Sequence, residues 1–327
     1  MKLGVMLALF GGRQLEEVLD YVAKSGLQAV ELCCGNYPGE PHFKVEELLK
    51  DDKKIEWLKK LLKERDLEIS GLSCHGNPLH PDEKIRGDHR SKQRNTILLA
   101  EKLGVERIIG FSGCPGDSDS SKYPNWVTCP WPDDFTKILE WQWKEKVIPY
   151  WTEEAAFAKK HSVKMICIEM HPGFVVYNTE TMLRLRNDVV KSGGPGETIG
   201  VNFDPSHLFW QGMDPIVCLR ELKGCIFHVH AKDTKICTIN ASINGVLDNK
   251  SYGDIIDRSW VFRTVGYGHG HDFWKDFVST LKLIGYDYVL SIEHEDGLMS
   301  INEGFQKAVY FLKEVMFTEK NNDMWWA

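Results

Sequence analysis

Short apolar runs alternate with longer amphipathic stretches along the whole chain. The runs are rich in β-branched side chains, which is typical of parallel strands buried on both faces. The predicted strands are 3–8, 28–32, 68–72, 107–111, 164–168, 198–203, 225–229 and 288–292. The stretches between them carry apolar residues at helical spacing, and the predicted helices are 15–25, 44–65, 84–103, 135–161, 180–191, 215–222, 273–284 and 302–317. The chain is therefore predicted to repeat one strand–helix unit from end to end.

This alternation predicts an α/β protein whose strand–helix units close into a single (β/α)₈ TIM barrel. The alternative is a doubly wound open sheet, which usually carries a glycine-rich phosphate turn after its first strand. Gly11-Gly12-Arg13 does not fit such a turn, so the barrel is favoured. Because no linker or low-complexity tract divides the chain, we expect one domain over residues 1–327.

Two connections exceed the usual length of about 2–6 residues between elements. The first, 112–134, follows the fourth strand and is rich in Ser, Pro, Asp and Trp, and the second, 232–271, follows the seventh strand. Both leave from the carboxyl ends of strands, where barrel enzymes place their active sites. We expect these long loops to form walls or lids of a site.

Composition and charge narrow the classes of partner. The chain has 43% hydrophobic and 27% charged residues, as ordinary globular proteins do. Its formal net charge of −7 argues against a nucleic-acid partner, which would need a basic surface. No run reaches the ~18–20 apolar residues of a membrane span, so no membrane partner is expected. Nine cysteines without a CxxC pair indicate a reduced, cytoplasmic protein, with the apolar start predicted to be a core strand and not a signal peptide.

Four consecutive predicted strands in the second half each end on a residue that can bind a metal ion. These residues, which we call the strand-end group, are Glu169, Asp204, His230 and Glu293. The carboxyl ends of barrel strands lie on one face, so their side chains can converge there. Each residue alone could be an ordinary loop side chain. Together, three carboxylates and one imidazole predict a site for Mn²⁺, Mg²⁺, Co²⁺ or Zn²⁺.

The motifs around this group resemble those of the xylose isomerase-like TIM barrel superfamily, which includes sugar phosphate isomerases and epimerases and the type 2 AP endonucleases. The resemblance spans nearly the whole chain. It is carried by the stretches IEMHP at 168–172, NFDPSH at 202–207, HVHAKD at 228–233 and SIEHED at 291–296, with KLGV at 2–5. These motifs are specific for the superfamily but say little about the substrate.

The resemblance implies a metal-dependent sugar isomerase or epimerase. In such enzymes one divalent ion, often Mn²⁺, is held by residues matching Glu169, Asp204, His230 and Glu293, and it stabilises an enediolate formed from a sugar or keto-sugar. The two glutamates then move a proton between carbons. His207 resembles a histidine that contacts a substrate oxygen, although it could instead cap the following helix.

Other polar residues near the predicted strand ends are candidates for contact with the substrate. His171 follows Glu169 by two residues and is a second candidate base. His75 follows the third strand and is expected to face the pocket. Lys232 could reach substrate hydroxyls or pair with Asp233. Arg263 lies on the long seventh loop, where such a residue alone is more often solvated. We therefore predict His75, His207, Lys232 and Arg263 as substrate-binding residues and His171 as catalytic.

Two other activities of the same superfamily stay open. AP endonucleases use three zinc ions and extra histidines, but this chain has Ser112 after the fourth strand and Ser259 on the seventh loop where further ligands would be needed. The runner-up is a C-glycoside deglycosidase-type lyase, which cleaves the carbon–carbon bond of a 3-oxo-glucoside as the α subunit beside a smaller β subunit. The apolar end at 324–326 would suit such a partner, so a homo-oligomer or a hetero-oligomer is expected. The sugar, its phosphorylation and the native metal are not identified by the sequence.

Overall fold

The computed structural model describes residues 1–319 together with residues 324 and 326. Within these residues, eight parallel strands close a barrel in the order β1-β10-β7-β6-β5-β4-β3-β2. The barrel strands are β1 Lys2–Met6, β2 Ala29–Cys33, β3 Glu68–Ser73, β4 Arg107–Phe111, β5 Met165–Glu169, β6 Ile199–Phe203, β7 Ile226–Ala231 and β10 Val289–Ile292. Every predicted strand is present within one or two residues of its predicted bounds. The predicted (β/α)₈ barrel is confirmed.

Helices connect the strands and surround the barrel. They are α1 Leu15–Lys24, α2 Val45–Lys50, α3 Asp52–Lys63, α4 Glu83–Leu103, α5 Asp133–Trp141, α6 Ile148–Lys160, α7 Thr179–Lys191, α8 Ser206–Phe209, α9 Pro215–Glu221, α10 Thr238–Asn244, α11 His271–Leu283 and α12 Ile301–Val315. In α1, for example, the residues at helical spacing are the buried ones: Leu15, Val18, Leu19 and Val22. The apolar residues that repeat at helical spacing therefore form the face of the helix that packs against the barrel. None of the helices in the described part of the chain has the length and apolarity needed to cross a membrane.

Two predicted helices are interrupted. The helix predicted over 44–65 breaks at Asp51, whose backbone is extended and whose side chain accepts a hydrogen bond from the Lys53 backbone N–H, 2.9 Å away. Asp51 thus starts a second helix as its N-cap. The helix predicted over 135–161 contains a π-helical segment, Gln142–Val147, between α5 and α6. Its Gln142 side chain donates to the carbonyls of Gly116 and Asn125 and so anchors the long loop after β4.

The long connection after β7 is more ordered than a plain loop. It contains β8 Asp233–Ile236 and β9 Trp260–Arg263, which pair antiparallel outside the barrel, with α10 between them. The Asp233 carboxylate accepts hydrogen bonds from the backbone N–H groups of Gly266, Gly268 and His269. This acceptor fixes the return of the chain beside the carboxyl end of β7. The apolar end predicted as a partner surface includes Trp325, which lies outside the described residues.

Candidate metal centre

The strand-end group comes together at the carboxyl ends of four neighbouring barrel strands. Glu169 is the last residue of β5, His230 lies near the end of β7, and Asp204 and Glu293 directly follow β6 and β10. These four strands are consecutive in the barrel. One ligand atom from each residue lies within 4.8 Å of the others. The spacing therefore allows one cation to contact all four side chains.

Histidine nitrogens and a lysine face the carboxylates at short range. His230 Nδ1 lies 2.9 Å from Glu293 Oε2 and 3.2 Å from Glu169 Oε2. His207 Nε2 lies 3.2 Å from Glu169 Oε1 and 3.3 Å from Asp204 Oδ2. The Lys232 ammonium is 3.3 Å from Glu293 Oε1 and 3.7 Å from Asp204 Oδ2. Three carboxylates thus meet within a region that is almost closed to solvent.

The electrostatics of the group favour ionised carboxylates at neutral pH. Burial alone would raise the pKa of Glu293, but the charges of Lys232 and His230 lower it to about 2. Burial opposes ionisation of Glu169 as well, yet contacts with His207, His230 and His75 bring its pKa well below the usual range. The pKa of Asp204 is raised, mainly by burial. Negative charge is therefore concentrated here, and Asp204 carries the least compensated part of it.

The lone pairs in this group fit a cation. Asp204 Oδ2, Glu293 Oε2 and His207 Nε2 are shielded from solvent and form no well-aligned hydrogen bond to any residue that the structure describes. Buried polar atoms are normally hydrogen-bonded, because an unpaired one costs about 1–3 kcal/mol. Oxygen and imidazole nitrogen are also the ligand atoms that Mn²⁺, Mg²⁺ and Zn²⁺ accept. The residues present therefore fit a divalent ion held by Glu169, Asp204, His230 and Glu293.

A cavity of about 460 Å³ adjoins the group and is lined by two of the four predicted substrate-binding residues and by the predicted catalytic His171. His75, His171 and Lys232 line it together with Glu169 and Glu293. This volume suits a small polar molecule. The structure thus brings three of the predicted contact residues to one cavity beside the strand-end group.

His171 is neutral at physiological pH in this setting. Burial and the neighbouring His207 lower its pKa to about 3. Its Nδ1 lies 2.6 Å from the Pro172 carbonyl oxygen, which can only accept, so Nδ1 carries the proton. Nε2 consequently carries the lone pair, but the lowered pKa makes His171 a weak base.

The structure identifies ion-pair partners of Lys232 and Arg263 that could not be predicted from the sequence. Lys232 pairs with Glu295, 2.6 Å away, as well as with Glu293, and not with Asp233. The charges of Glu293 and Glu295 outweigh burial and raise the pKa of Lys232 well above its usual value. Arg263 donates through Nε to Asp296, 3.0 Å away, and is not among the residues that line the cavity. Contact of Arg263 with a substrate stays a prediction.

A set of buried polar residues that was not predicted from the sequence lies inside the barrel next to the strand-end group. We call this set, which consists of Glu31, Ser73, Asn202, His228 and Ser291, the Glu31 network. Each of its members is fully buried. The signal was present in the sequence, because Glu31 is a charged residue within the apolar run of β2, and Asn202 and His228 interrupt β6 and β7 in the same way.

Two aromatic residues at the cavity were also missed. Phe111, the last residue of β4, lies with its ring centroid 4.7 Å from those of both His75 and His171. Tyr37 lines the same cavity.

Comparison with known proteins agrees with this architecture. The sequence matches the xylose isomerase-like TIM barrel family over residues 19–315, and the chain belongs to that family. It is 37% identical over 318 residues to the uncharacterized protein YfiH of Bacillus subtilis (strain 168), an alignment that covers 97% of this chain and 99% of YfiH.

Solved structures share the fold at low sequence identity. The IOLI protein, whose crystal structure holds a zinc atom, is similar with a TM-score of 0.64 and 20% identity, covering 98% of this chain and 100% of IOLI. A D-tagatose 3-epimerase-like protein is similar with a TM-score of 0.62 and 21% identity, covering 96% of this chain and 98% of its own. At such identities the likeness concerns the fold.

Proposed function

We propose that this protein is a divalent-metal-dependent isomerase or epimerase of a sugar or keto-sugar. The observation that carries the proposal is the strand-end group itself, in which buried carboxylate oxygens of Asp204 and Glu293 keep free lone pairs beside a polar cavity. Glu169, Asp204, His230 and Glu293 would hold one ion, most simply Mn²⁺. The zinc atom in the IOLI structure and the epimerase name of another neighbour support the same assignment.

Proton transfer is assigned to the two glutamates that line the cavity. A bound divalent ion supplies electrostatic stabilisation of the negative charge that develops on a sugar oxygen. Glu293 is ionised and borders the cavity, so it can take a proton from the carbon beside a carbonyl group. The Glu293 carboxylic acid formed in this way can return the same proton to the adjacent carbon, which completes an isomerisation. Glu169, which also lines the cavity and is ionised, is the second carboxylate that can act as the base.

The other cavity residues bind and orient the substrate in this proposal. The Lys232 ammonium presents N–H donors to sugar oxygens, and the His75 ring offers its Nδ1, which is unpaired among the described residues. His207 does not line the cavity but contacts Glu169 and Asp204 from α8. His171 offers a neutral base through Nε2 and is the second candidate for proton abstraction. We expect a small-molecule sugar substrate, and the oligomeric state stays a prediction.

The test is proton exchange on a panel of keto-sugars in deuterated water. Metal-loaded protein is incubated with each sugar, and deuterium incorporation beside the carbonyl is followed by NMR. We expect exchange with at least one sugar, and a loss of about 10²–10⁴-fold in Glu293→Gln. Glu154→Gln, a buried carboxylate on α6 outside the site, is the control and should retain exchange. No exchange across the panel in the metal-loaded protein would contradict the proposal.

The same variants separate the carbon–carbon lyase alternative. A lyase that used His171 as base would show an inert His171→Ala that still binds metal, and a Glu293→Gln that loses metal. Co-purification of a smaller subunit would point the same way. The isomerase proposal expects His171→Ala to keep part of its exchange activity, because the glutamates carry the proton.

A further inference from the structure

Glu31 is a carboxylate buried in the barrel interior. It contacts His230, a proposed metal ligand, at the ring nitrogen that points away from the strand-end group. It lies in the middle of β2 and is completely shielded from solvent. Its Oε2 is 3.0 Å from His230 Nε2 and accepts a hydrogen bond from Ser291, 2.7 Å away. Its Oε1 is 3.2 Å from the same His230 nitrogen and accepts from Ser73. Both carboxylate oxygens are thus used by donors.

This contact decides which nitrogen of His230 can bind a cation. A carboxylate only accepts hydrogen bonds, so His230 Nε2 must carry a proton that it donates to Glu31. The opposite nitrogen, Nδ1, faces the strand-end group, 3.2 Å from Glu169 and 2.9 Å from Glu293, and the Asn202 amide nitrogen lies 3.1 Å from it. Since an imidazole binds a metal through an unprotonated nitrogen, Nδ1 is the nitrogen available for a metal ion.

We propose that Glu31 is a positioning residue that fixes His230 in the tautomer and ring orientation in which Nδ1 binds a divalent ion. The inference rests on the proposed function, which makes His230 a ligand. Hydrogen bonds from a second residue to the far nitrogen of a metal-binding histidine typically change metal affinity by about 10–100-fold. Glu31 supplies such a bond across the barrel interior, from β2 to β7.

Glu31, His228 and His230 are themselves close enough to suggest a second ion site, but their hydrogen bonds argue against one. Within the described residues, His228 Nδ1 lies 2.9 Å from Asn202 Oδ1, and His228 Nε2 lies 3.3 Å from Ser70 Oγ. The Glu31 oxygens are taken by Ser73, Ser291 and His230, as described above. Their lone pairs are already used, in contrast to those of Asp204 and Glu293. Glu31 therefore acts through His230.

The experiment measures metal affinity and histidine protonation in the full-length protein. Dissociation constants for Mn²⁺ are obtained by competition with a chelator for wild type, Glu31→Gln, Glu31→Asp and the control Glu154→Gln. We expect Glu31→Gln to bind Mn²⁺ about 10–100-fold more weakly, because the amide that replaces one oxygen is a donor and cannot serve all three donors around Glu31. Glu31→Asp retains the charge and should lose less, while Glu154→Gln should bind as wild type does.

A spectroscopic readout on unmodified protein makes the test independent of variant folding. In ¹⁵N-histidine-labelled, Zn²⁺-loaded wild type, the proton of His230 is expected on Nε2, with Nδ1 unprotonated. A proton on Nδ1, or Mn²⁺ affinity unchanged in folded Glu31→Gln, would overturn the role of Glu31. The variant His230→Ala tests the metal centre separately from the role of Glu31. If His230→Ala binds Mn²⁺ as tightly as wild type, the proposed metal centre is wrong. If His230→Ala binds Mn²⁺ weakly but Glu31→Gln binds it normally, only the proposed role of Glu31 is wrong.

Discussion

Two sets of buried polar side chains meet at His230, and they differ in how their lone pairs are used. In the Glu31 network, Glu31 has three donors and Asn202 bridges strands, donating to Glu169 Oε2, 3.0 Å away, and sharing a hydrogen bond with His228. In the strand-end group, Asp204 Oδ2 and Glu293 Oε2 have no aligned donor among the described residues. Both sets contain carboxylates and imidazoles, so residue type does not separate them. Of these two sets, the strand-end group is the one in which unused carboxylate lone pairs of neighbouring residues converge beside a cavity, as a cation site requires.

The difference has an energetic meaning. A fully hydrogen-bonded buried network stabilises one arrangement of the core, whereas unpaired buried charges cost free energy until a partner arrives. We therefore expect opposite consequences when the two sets are mutated. Removing a charge from the strand-end group should abolish metal binding and increase the stability of the metal-free protein. Removing a residue of the Glu31 network should decrease the stability of the protein.

The largest effect is expected for Asp204→Asn. The substitution removes one ligand charge, and we expect Mn²⁺ affinity to fall by at least about 100-fold, more than the loss of a residue that only supports a ligand. Because burial raises the pKa of Asp204, its ionised form is costly, so the metal-free variant should melt at a higher temperature than metal-free wild type. Chelator competition and thermal melts measure the two effects. A variant that binds normally would remove Asp204 from the site.

Asn202→Leu tests the other set. Leucine has a similar size but leaves the Glu169 and His228 side chains without their shared partner, so we expect the free energy of unfolding to drop by about 2–4 kcal/mol in the absence of metal. Denaturant unfolding of metal-free protein gives this value. Unchanged stability would mean that the Glu31 network does not support the barrel, and the contrast between the two sets would disappear.

Metal removal should sharpen the comparison without any mutation. An ion that binds only the folded state stabilises it by about 2.7 kcal/mol at a free concentration 100 times the dissociation constant. Adding a chelator should lower the melting temperature of wild type and of Glu154→Gln, but not that of Asp204→Asn. An equal response in all three proteins would indicate that the ion binds elsewhere.

The smallest effect concerns a third buried carboxylate, Glu154, which pairs with Arg94 at 3.1 Å in the outer layer of helices. Burial raises its pKa, whereas for Glu31 the effect of burial is outweighed by the charge of His230 and by hydrogen bonds from His230 and Ser73, which lower the pKa. A raised acidic pKa gives stability below about pH 4.5 that is lost as the pH rises through the folded-state pKa. The stability of Glu154→Gln relative to wild type should therefore increase with pH from about 4.5 upward and then level off. A difference that is independent of pH would contradict the raised pKa.

Much of this molecule could be predicted from the sequence, because its patterns are local. The run 165–168 is apolar on both faces, which is typical of a strand covered on both sides. Once the strands were assigned, their carboxyl ends had to share one face, and this placed Glu169, Asp204, His230 and Glu293 together. The helix break at Asp51 was missed because apolar periodicity continues across it, although an acidic N-cap followed by Asp52 and Lys53 was a readable signal.

The remaining features depend on contacts between distant residues. Glu31 and His230 are 199 positions apart in the chain, and only closure of the barrel brings the β2 carboxylate to the β7 imidazole. The Arg263–Asp296 pair arises in the same way, since the antiparallel strand β9 turns Arg263 toward the loop after β10. Spacing along the sequence carries no information on such pairs. They depend on which distant side chains meet once the barrel has closed.

The central claim is that the strand-end group, and not the Glu31 network, holds one divalent ion. The most direct measurement is the number of Mn²⁺ ions bound per chain, by equilibrium dialysis and elemental analysis, in wild type, Asp204→Asn and Asn202→Leu. We predict one tightly bound ion in wild type, none at the same free Mn²⁺ in Asp204→Asn, and one ion in folded Asn202→Leu at saturating Mn²⁺. A wild type that binds no Mn²⁺, or an Asp204→Asn variant that retains a full equivalent, would contradict the account.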